Sequence, residues 1–101
     1  MTVTATNLGS SIWRQSTPSG VGHVTLGVQL LDSADHVASR DYHRASLPHD
    51  VPSGQAVTFS FECPVPPEPG TYRLKLDLVA EGVTWFETAG SAPEFTSLLA
   101  V

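Results

Sequence analysis

Apolar residues recur at every second position in three segments of this chain, and this period constrains the fold more than any other feature. The apolar sets are Val24, Leu26, Val28 and Leu30; Val57, Phe59 and Phe61; and Tyr72, Leu74, Leu76 and Leu78. Successive side chains of a β-strand leave opposite faces of a sheet, whereas a helix would scatter these sets around its circumference. Each segment is therefore predicted to be a strand with one buried face.

Weaker strand candidates fill the gaps between these segments. They are residues 2–6 (TVTAT), 37–45 (VASRDYHRA), 83–87 (VTWFE) and 94–101 (EFTSLLAV). The charged segment at residues 37–45 is typical of an edge strand that resists pairing with other chains. Gly and Pro cluster between the apolar runs, where they predict turns, and no window of helix length has a 3.6-residue period. About seven short strands with frequent turns predict an all-β protein, a single immunoglobulin-like antiparallel β-sandwich.

Length and composition bound the domain organisation. The chain has 101 residues, 41% of them apolar and 15% charged, which is the composition of one globular domain. Neither an internal repeat nor a second domain is visible, so we expect a single β-sandwich domain over residues 1–101. The chain begins at the second strand of many sandwiches, which predicts a domain that is part of, or appended to, a longer protein.

Charge and the single cysteine argue against several classes of partner. The formal net charge is −5, whereas nucleic acid and anionic membrane surfaces require clustered Lys and Arg, so we predict no nucleic-acid partner. No apolar run approaches the roughly 20 residues of a membrane span, and no membrane insertion is predicted. Cys63 has no partner for an intrachain disulfide, and the first residues lack the pattern of a signal peptide. These two features favour a cytoplasmic location.

One tyrosine has a position with a known structural role. Tyr72 lies two residues after Gly70, at the head of a predicted strand. In a tyrosine corner the ring at this position packs inward, and its hydroxyl bonds to backbone a few residues upstream. We predict this arrangement for Tyr72.

Two segments resemble a known group of domains. Residues 3–14 (VTATNLGSSIWR) and 51–86, which include the "PGTY" corner, resemble immunoglobulin-like accessory domains of bacterial glycosyltransferases and methyltransferases in surface-polysaccharide pathways. The layout is also similar to the C-terminal polysaccharide-binding domain of O-antigen ABC transporters. The four-tryptophan domain of autophagy receptors shares the Asn-Gly-Trp opening, but this chain has only two Trp residues. The resemblance, from about Val3 to Val101, implies a non-catalytic polysaccharide-binding accessory module in surface-polysaccharide assembly.

The sequence contains no pattern of an enzyme active site. A nucleophile requires a base within hydrogen-bond reach and a group that orients the base, and no Gly-x-Ser-x-Gly elbow or comparable signature occurs. Cys63 lies in a Pro-rich segment without a basic neighbour that would lower its pKa. We predict that the protein is not an enzyme and that it has no catalytic residue and no cofactor.

Several metal-binding residue types fall around one predicted hairpin. They are His36 and His43 with Asp32, Asp35 and Asp41. Asp41 and His43 share a strand face, but the segment has no His-x-His pair, no Cys-x-x-Cys pair and no calcium-loop spacing. Solvated polar groups on an edge strand account for this cluster, and we predict no metal site.

The pair Trp85 and Phe86 raises the question of a binding surface. Neighbours on a strand leave opposite faces, so one ring can join the core and the other is exposed unless a loop or partner covers it. Val83 shares its phase with Trp85, which favours Trp85 in the core and Phe86 outside. A bulge at Gly82 would reverse this arrangement. Trp13 is expected to plug one end of the sandwich.

An exposed ring in this position suits a carbohydrate. A sugar offers an apolar face and a rim of hydroxyls, so proteins hold it with an aromatic ring and hydrogen-bonding side chains in an open cleft. The candidate ligand-binding residues are the platform ring, Phe86 or Trp85; a second contact, Tyr42 with Arg40 and Arg44; and the hydroxyl-binding carboxylates, Asp77 or Glu87. Two other interpretations stay open, in which residues 87–95 cover the ring as a lid and the two Arg residues only protect the sheet edge.

The alternative function is that of a protein–protein interaction or structural module. In this interpretation the exposed ring and the edge strand are buried, either against a parent enzyme or in a homodimer. The polysaccharide ligand and the protein partner are therefore two hypotheses of different classes for the same chain.

Overall fold

The computed structural model describes residues 1–91 and 93–100, and every regular element in that part of the chain is a β-strand. The strands are β1 (Thr2–Thr6), β2 (Val24–Leu31), β3 (Val37–Ser46), β4 (Ala56–Ser60), β5 (Gly70–Ala80), β6 (Thr84–Trp85) and β7 (Glu94–Ala100). They form two antiparallel sheets, a small one of β1 and β4 and a large one of the other five strands. The prediction of an all-β, antiparallel protein is confirmed.

The weaker strand candidates are present, although one of them is shorter than predicted. β1, β3 and β7 occupy the predicted segments, and Val101 lies outside the described residues. The candidate at residues 83–87 contains only the two residues of β6. It ends there because the chain turns back on itself, and the backbone N–H of Ala89 bonds to the carbonyl of Phe86 at 3.0 Å.

The period of two places the core between the sheets. The predicted inward residues of β2 are all buried, and those of β4 and β5 join the same cluster, with Phe61, Tyr72 and Leu78 at its half-buried margin. Side chains from the loops complete it: Trp13, Leu47 and Val51. β2 is buried on both faces, because its inward side chains belong to the core and Trp85 packs over Gly27 on the opposite face.

Two strands share one edge of β5. β7 pairs with residues 70–76 of β5, and β6 pairs with residues 79–80. Asp77 therefore lies at the break between the two ladders. Because β6 and β7 occupy the same edge, the large sheet is four strands wide and the small sheet two, and along β1 part of the inner face of the large sheet stays uncovered.

Asn7 connects β1 to the loop that follows it. Its side chain is fully buried, and Nδ2 donates to the carbonyls of Ser11 at 2.8 Å and Val51 at 3.0 Å. Its Oδ1 accepts the backbone N–H of Gly9 at 3.1 Å. At the end of this loop, Trp13 forms an isolated antiparallel β-bridge with Val51. The Asn-Gly-Trp spacing therefore has a structural role, because the side-chain amide of Asn7 holds the loop closed and positions Trp13.

The predicted tyrosine corner is confirmed. The Tyr72 hydroxyl donates to the carbonyl of Glu68 at 2.9 Å, four residues upstream, and the ring packs against the core. This bond attaches the Pro-rich segment before β5 to the first residues of that strand.

Replacement of Asn7 by Ala is expected to destabilise the protein by about 3 kcal/mol, because it removes the three hydrogen bonds of a fully buried side chain that closes the loop. The measurement is the free energy of unfolding in urea. Leu8→Ala is the matched control, since Leu8 is 89% exposed and its truncation should change stability by no more than about 0.5 kcal/mol. Equal stabilities of the two variants would contradict this role of Asn7.

Replacement of Tyr72 by Phe is expected to lower stability by about 1 kcal/mol without changing the fold, because one hydrogen bond is lost and the ring is kept. For a domain of this size the melting temperature should fall by about 4–8 °C. Thermal unfolding followed by circular dichroism measures the change. An unchanged melting temperature would show that the hydroxyl contributes nothing to the corner.

Candidate functional site

A cleft of about 690 Å³ opens between the two sheets along β1. Its apolar lining comes from the large sheet, from Leu26, Leu76 and Leu78, and from two rings, Trp13 and Phe86. The polar residues along it are Thr4 and Thr6 of β1, Ser10 and Ser11 of the next loop, Asp77 of β5, Ser91 and the first residue of β7, Glu94. The side chains of Thr4 and Thr6 are exposed on the outer face of the small sheet, where the Thr4 hydroxyl bonds to that of Thr58 at 3.0 Å. The cleft occupies the part of the large sheet that the small sheet leaves uncovered.

Two aromatic rings meet at one end of this cleft. Trp13 and Phe86 pack edge to face, with their centroids 5.8 Å apart and their planes at 73°. The bridge to Val51 holds Trp13, which is buried as expected. The backbone N–H of Phe86 donates to the carbonyl of Leu78 at 2.8 Å, which sets Phe86 beside β5 with its ring toward the core. The pair gives the cleft an aromatic wall.

The register of the β5–β6 hairpin decides which ring faces inward. The phase of Val83 favours Trp85 in the core, and the structure has the opposite arrangement. Trp85 lies opposite Val79, whose side chain points to the outer face of the large sheet, so Phe86 is the inward ring. The tight turn before β6 sets this register, and Gly82 provides its positive φ of 73°.

Trp85 packs on the outer face of the large sheet. Its ring lies over Gly27, where a Cβ atom would come within 2.5 Å of Trp85 Cζ3. The guanidinium of Arg44 stacks on the ring at 4.6 Å from its centroid. Arg44 also forms salt bridges with Asp41 at 3.2 Å and Glu81 at 3.6 Å. Trp85 is therefore half-buried between the large sheet at Gly27 and the guanidinium of Arg44.

The residues predicted as a second contact do not lie together. A register shift in the β2–β3 ladder, between the pairs Val28–His43 and Leu30–Ser39, inserts extra residues into β3. Tyr42 packs against the core, and its hydroxyl donates to the carbonyl of Pro64. Arg44 is on the outer face, and Arg40 is exposed. Because burial raises the pKa of Tyr42, with Cys63 and Tyr72 adding to the effect, its hydroxyl stays a donor.

The two predicted carboxylates are connected to each other. Asp77 is 6% exposed, and its Oδ2 accepts the backbone N–H of Glu87 at 2.9 Å. The Glu87 side chain accepts from Lys75 Nζ at 2.5 Å. Burial raises the pKa of Asp77, while the backbone bonds from Glu87 and Leu78 act in the opposite direction. Asp77 thus lines the cleft and holds the start of the turn at residues 87–91.

The structure separates the seven predicted ligand-binding residues. Phe86 and Asp77 line the cleft, Trp85 and Arg44 form a stack on the outer face, and Tyr42 is half-buried beside the core. Glu87 pairs with Lys75, and Arg40 is exposed on β3. Sequence reasoning placed Trp13 in the core but missed its role in the cleft, and it missed the hydroxyl groups of residues 10–11. The Asn-Gly-Trp spacing was the one available signal for that loop.

Other kinds of site are not assembled in the described part of the chain. Residues 1–91 and 93–100 contain no group of three or more His, Cys, Asp or Glu side chains placed to hold a metal ion. Within the same residues no helix has the length and apolar character needed to cross a membrane. Burial raises the pKa of the Cys63 thiol, which disfavours the thiolate.

No family model, curated protein or solved structure matches this chain.

Replacement of Asp77 by Asn is expected to stabilise the protein at pH 7. The pKa of Asp77 is raised in the folded state, so its ionised form opposes folding at neutral pH, and this penalty disappears as the pH falls through the folded-state pKa. The Asn side chain keeps an acceptor for the Glu87 N–H without the buried charge. Urea unfolding at several pH values measures the difference between variant and wild type.

Glu62→Gln is the matched control for this experiment, because Glu62 is exposed and the same chemical change there leaves no buried charge to remove. The stability gained in Asp77→Asn should shrink as the solution is acidified. A gain that is absent at pH 7, or that is the same at every pH, would contradict desolvation as the dominant effect on Asp77.

Proposed function

We propose that this chain is an immunoglobulin-like, non-catalytic carbohydrate-binding module of bacterial surface-polysaccharide assembly and that the cleft beside β1 holds the glycan. The observation that carries the proposal is the pairing of an aromatic wall with a rim that contains three serine hydroxyls, of Ser10, Ser11 and Ser91, in one cleft. Its volume of about 690 Å³ lies within the usual range for small-ligand sites, roughly 300–1,000 Å³.

The chemistry of the lining suits a sugar ring. The C–H face of a sugar packs against aromatic carbon, and the Trp13–Phe86 pair and the neighbouring leucines provide such a surface. The hydroxyls of a sugar both donate and accept hydrogen bonds, and so do the hydroxyls of Ser10, Ser11 and Ser91 at the rim. The carboxylate of Glu94, which lies opposite the inward-facing Leu76, is an additional acceptor for sugar hydroxyls.

The charges of the lining favour a particular class of glycan. Among the described residues that line the cleft, Glu94 has a charged side chain on its inner face, opposite Leu76, and none is Lys, Arg or His. A uronic acid, sulfate or phosphate group would meet this like charge without a compensating cation. A neutral glycan, built from hexoses or N-acetylhexosamines, is therefore the proposed ligand.

The resemblance to polysaccharide-pathway domains supports the same proposal from a separate direction. Its Asn-Gly-Trp opening is the segment in which Asn7 closes the loop and Trp13 forms part of the aromatic wall. The motif residues and the cleft therefore occupy the same end of the molecule. Domains of similar layout are accessory to enzymes and transporters, which agrees with a binding role.

Titration with neutral oligosaccharides is expected to shift the backbone NMR signals of residues 8–13 and to change Trp13 fluorescence. Phe86→Leu should weaken binding about tenfold, because a ring contact of roughly 1.4 kcal/mol is lost while an apolar side chain remains for the core. Trp85→Leu is the matched control, a neighbouring ring on the opposite face, and it leaves Trp13 as the single fluorophore. This variant should bind as wild type does.

Uronic-acid oligosaccharides of the same length are the second control, and they should bind more weakly than the neutral ones. Loss of binding in Trp85→Leu but not in Phe86→Leu would move the site to the outer face of the large sheet. No response to any neutral oligosaccharide at about 1 mM, an affinity of roughly −4 kcal/mol, would contradict glycan binding at this cleft.

A further inference from the structure

The edge of β1 that borders the cleft has unpaired backbone groups. Met1 and Phe61 exchange two backbone bonds, of 2.7 and 3.0 Å, and the Asn7 N–H donates to the carbonyl of Gln55 at 2.8 Å. Alternate residues of an antiparallel strand point their N–H and C=O groups at the partner strand, so residues 1, 3, 5 and 7 point at β4. The backbone groups of residues 2, 4 and 6 therefore point away from β4. No strand of the described residues pairs with them.

Thr4 and Thr6 line the cleft with their main chain. Both residues belong to the cleft lining, although their side chains lie on the outer face of the small sheet. The atoms that they present to the cleft are therefore the outward-pointing N–H and C=O groups. Within residues 1–91 and 93–100, no other residue bonds to these groups.

These backbone groups lie beside an apolar surface. The same cleft contains Leu76 and Leu78 of β5 and the ring of Phe86. A ligand that fills the cleft removes water from the edge of β1, and a backbone group that loses water without gaining a partner weakens binding. The best ligand therefore combines a strong hydrogen-bonding group with an apolar part of similar size.

The acetamido group of an N-acetylhexosamine has this combination. Its carbonyl is the same acceptor that a neighbouring strand would offer to β1, and its methyl group is apolar. The hydroxyl at the same carbon of a plain hexose can accept the same N–H, but it has no apolar part for the leucines and the ring.

We infer that the open edge of β1 selects glycans that contain N-acetylhexosamine, through a backbone bond to the acetamido group. This inference rests on the proposed function and names the class of sugar. The acetamido carbonyl accepts the N–H of Thr4 or Thr6, and the methyl group packs on Leu76 and Leu78. In a trans amide the N–H points away from the carbonyl, so the acetamido N–H faces the β7 side, where Glu94 is an acceptor.

Isothermal titration calorimetry with two series of β-1,4-linked oligosaccharides of equal length tests the selectivity. Oligomers of N-acetylglucosamine should bind wild-type protein at least about tenfold more tightly than oligomers of glucose, which differ from them only in the substituent at C2. Deacetylated oligomers of glucosamine, which keep the nitrogen but lose the carbonyl and the methyl group, should bind more weakly than the acetylated ones.

Thr4→Pro and Thr6→Pro, made separately, test the role of the backbone. Each removes one outward N–H and no bond of the β1–β4 ladder, and proline is tolerated at such positions of edge strands. The variant that lacks the bonding N–H should bind the acetylated and the glucose series with affinities within about twofold of each other.

Thr58→Pro is the matched control. Thr58 lies opposite Thr4 in β4, and its N–H points away from β1 and from the cleft. This variant and Thr4→Pro both lose the hydroxyl bond between Thr4 and Thr58, but Thr58→Pro should keep the wild-type preference. Circular dichroism should show the same fold for all variants.

Two groups of results would overturn the inference, and they differ in what they say about the proposed function. Equal affinities for the two series in wild type, tighter binding of the deacetylated oligomers, or a preference that persists in both β1 variants would overturn the selectivity and leave glycan binding intact. An equal loss of preference in Thr58→Pro would do the same. No binding of any series at about 1 mM would contradict glycan binding itself, and the inference with it.

Discussion

The pairing of β2 with β5 is the interaction on which the rest of the structure depends. The two strands pair without a break from Val24–Ala80 to Leu31–Arg73. The pairing aligns their apolar residues on one face and closes the centre of the large sheet. β3 attaches to the free edge of β2, and β6 and β7 attach to the free edge of β5. A slip of one residue in either strand would move the apolar side chains of that strand from the inner to the outer face.

The break in the edge of β5 connects this framework to the candidate site. β7 pairs up to Leu76, β6 pairs from Val79, and Asp77 lies between them with its carboxylate bound to the backbone of the following turn. A continuous strand in this position would have left no gap at Asp77. The buried carboxylate, with its raised pKa, is thus a consequence of where two short strands share one longer partner.

The difference in width between the two sheets accounts for the candidate site. A two-stranded sheet cannot cover a sheet four strands wide, so leucines and two aromatic rings line an open cleft along β1. The proposed glycan fills this cleft and contacts the rings and the serine hydroxyls at its rim.

The sequence by itself determined the strands, because a pleated chain presents every second side chain to the same face and the apolar residues follow that period. It also determined the tyrosine corner, since the bond from Tyr72 spans only four residues. Local patterns of this kind depend on neighbours along the chain. Such patterns can therefore be predicted from a sequence window of about twenty residues.

The tertiary structure alone decided how these strands combine into a site. The turn at Gly82 set Phe86 inward and Trp85 outward, and the irregular β3 separated Tyr42 from Arg44. The cleft joins β1 to β5 and Phe86, segments more than 70 residues apart in the chain. Contacts over such separations depend on register and sheet width, which the period of the apolar residues does not specify.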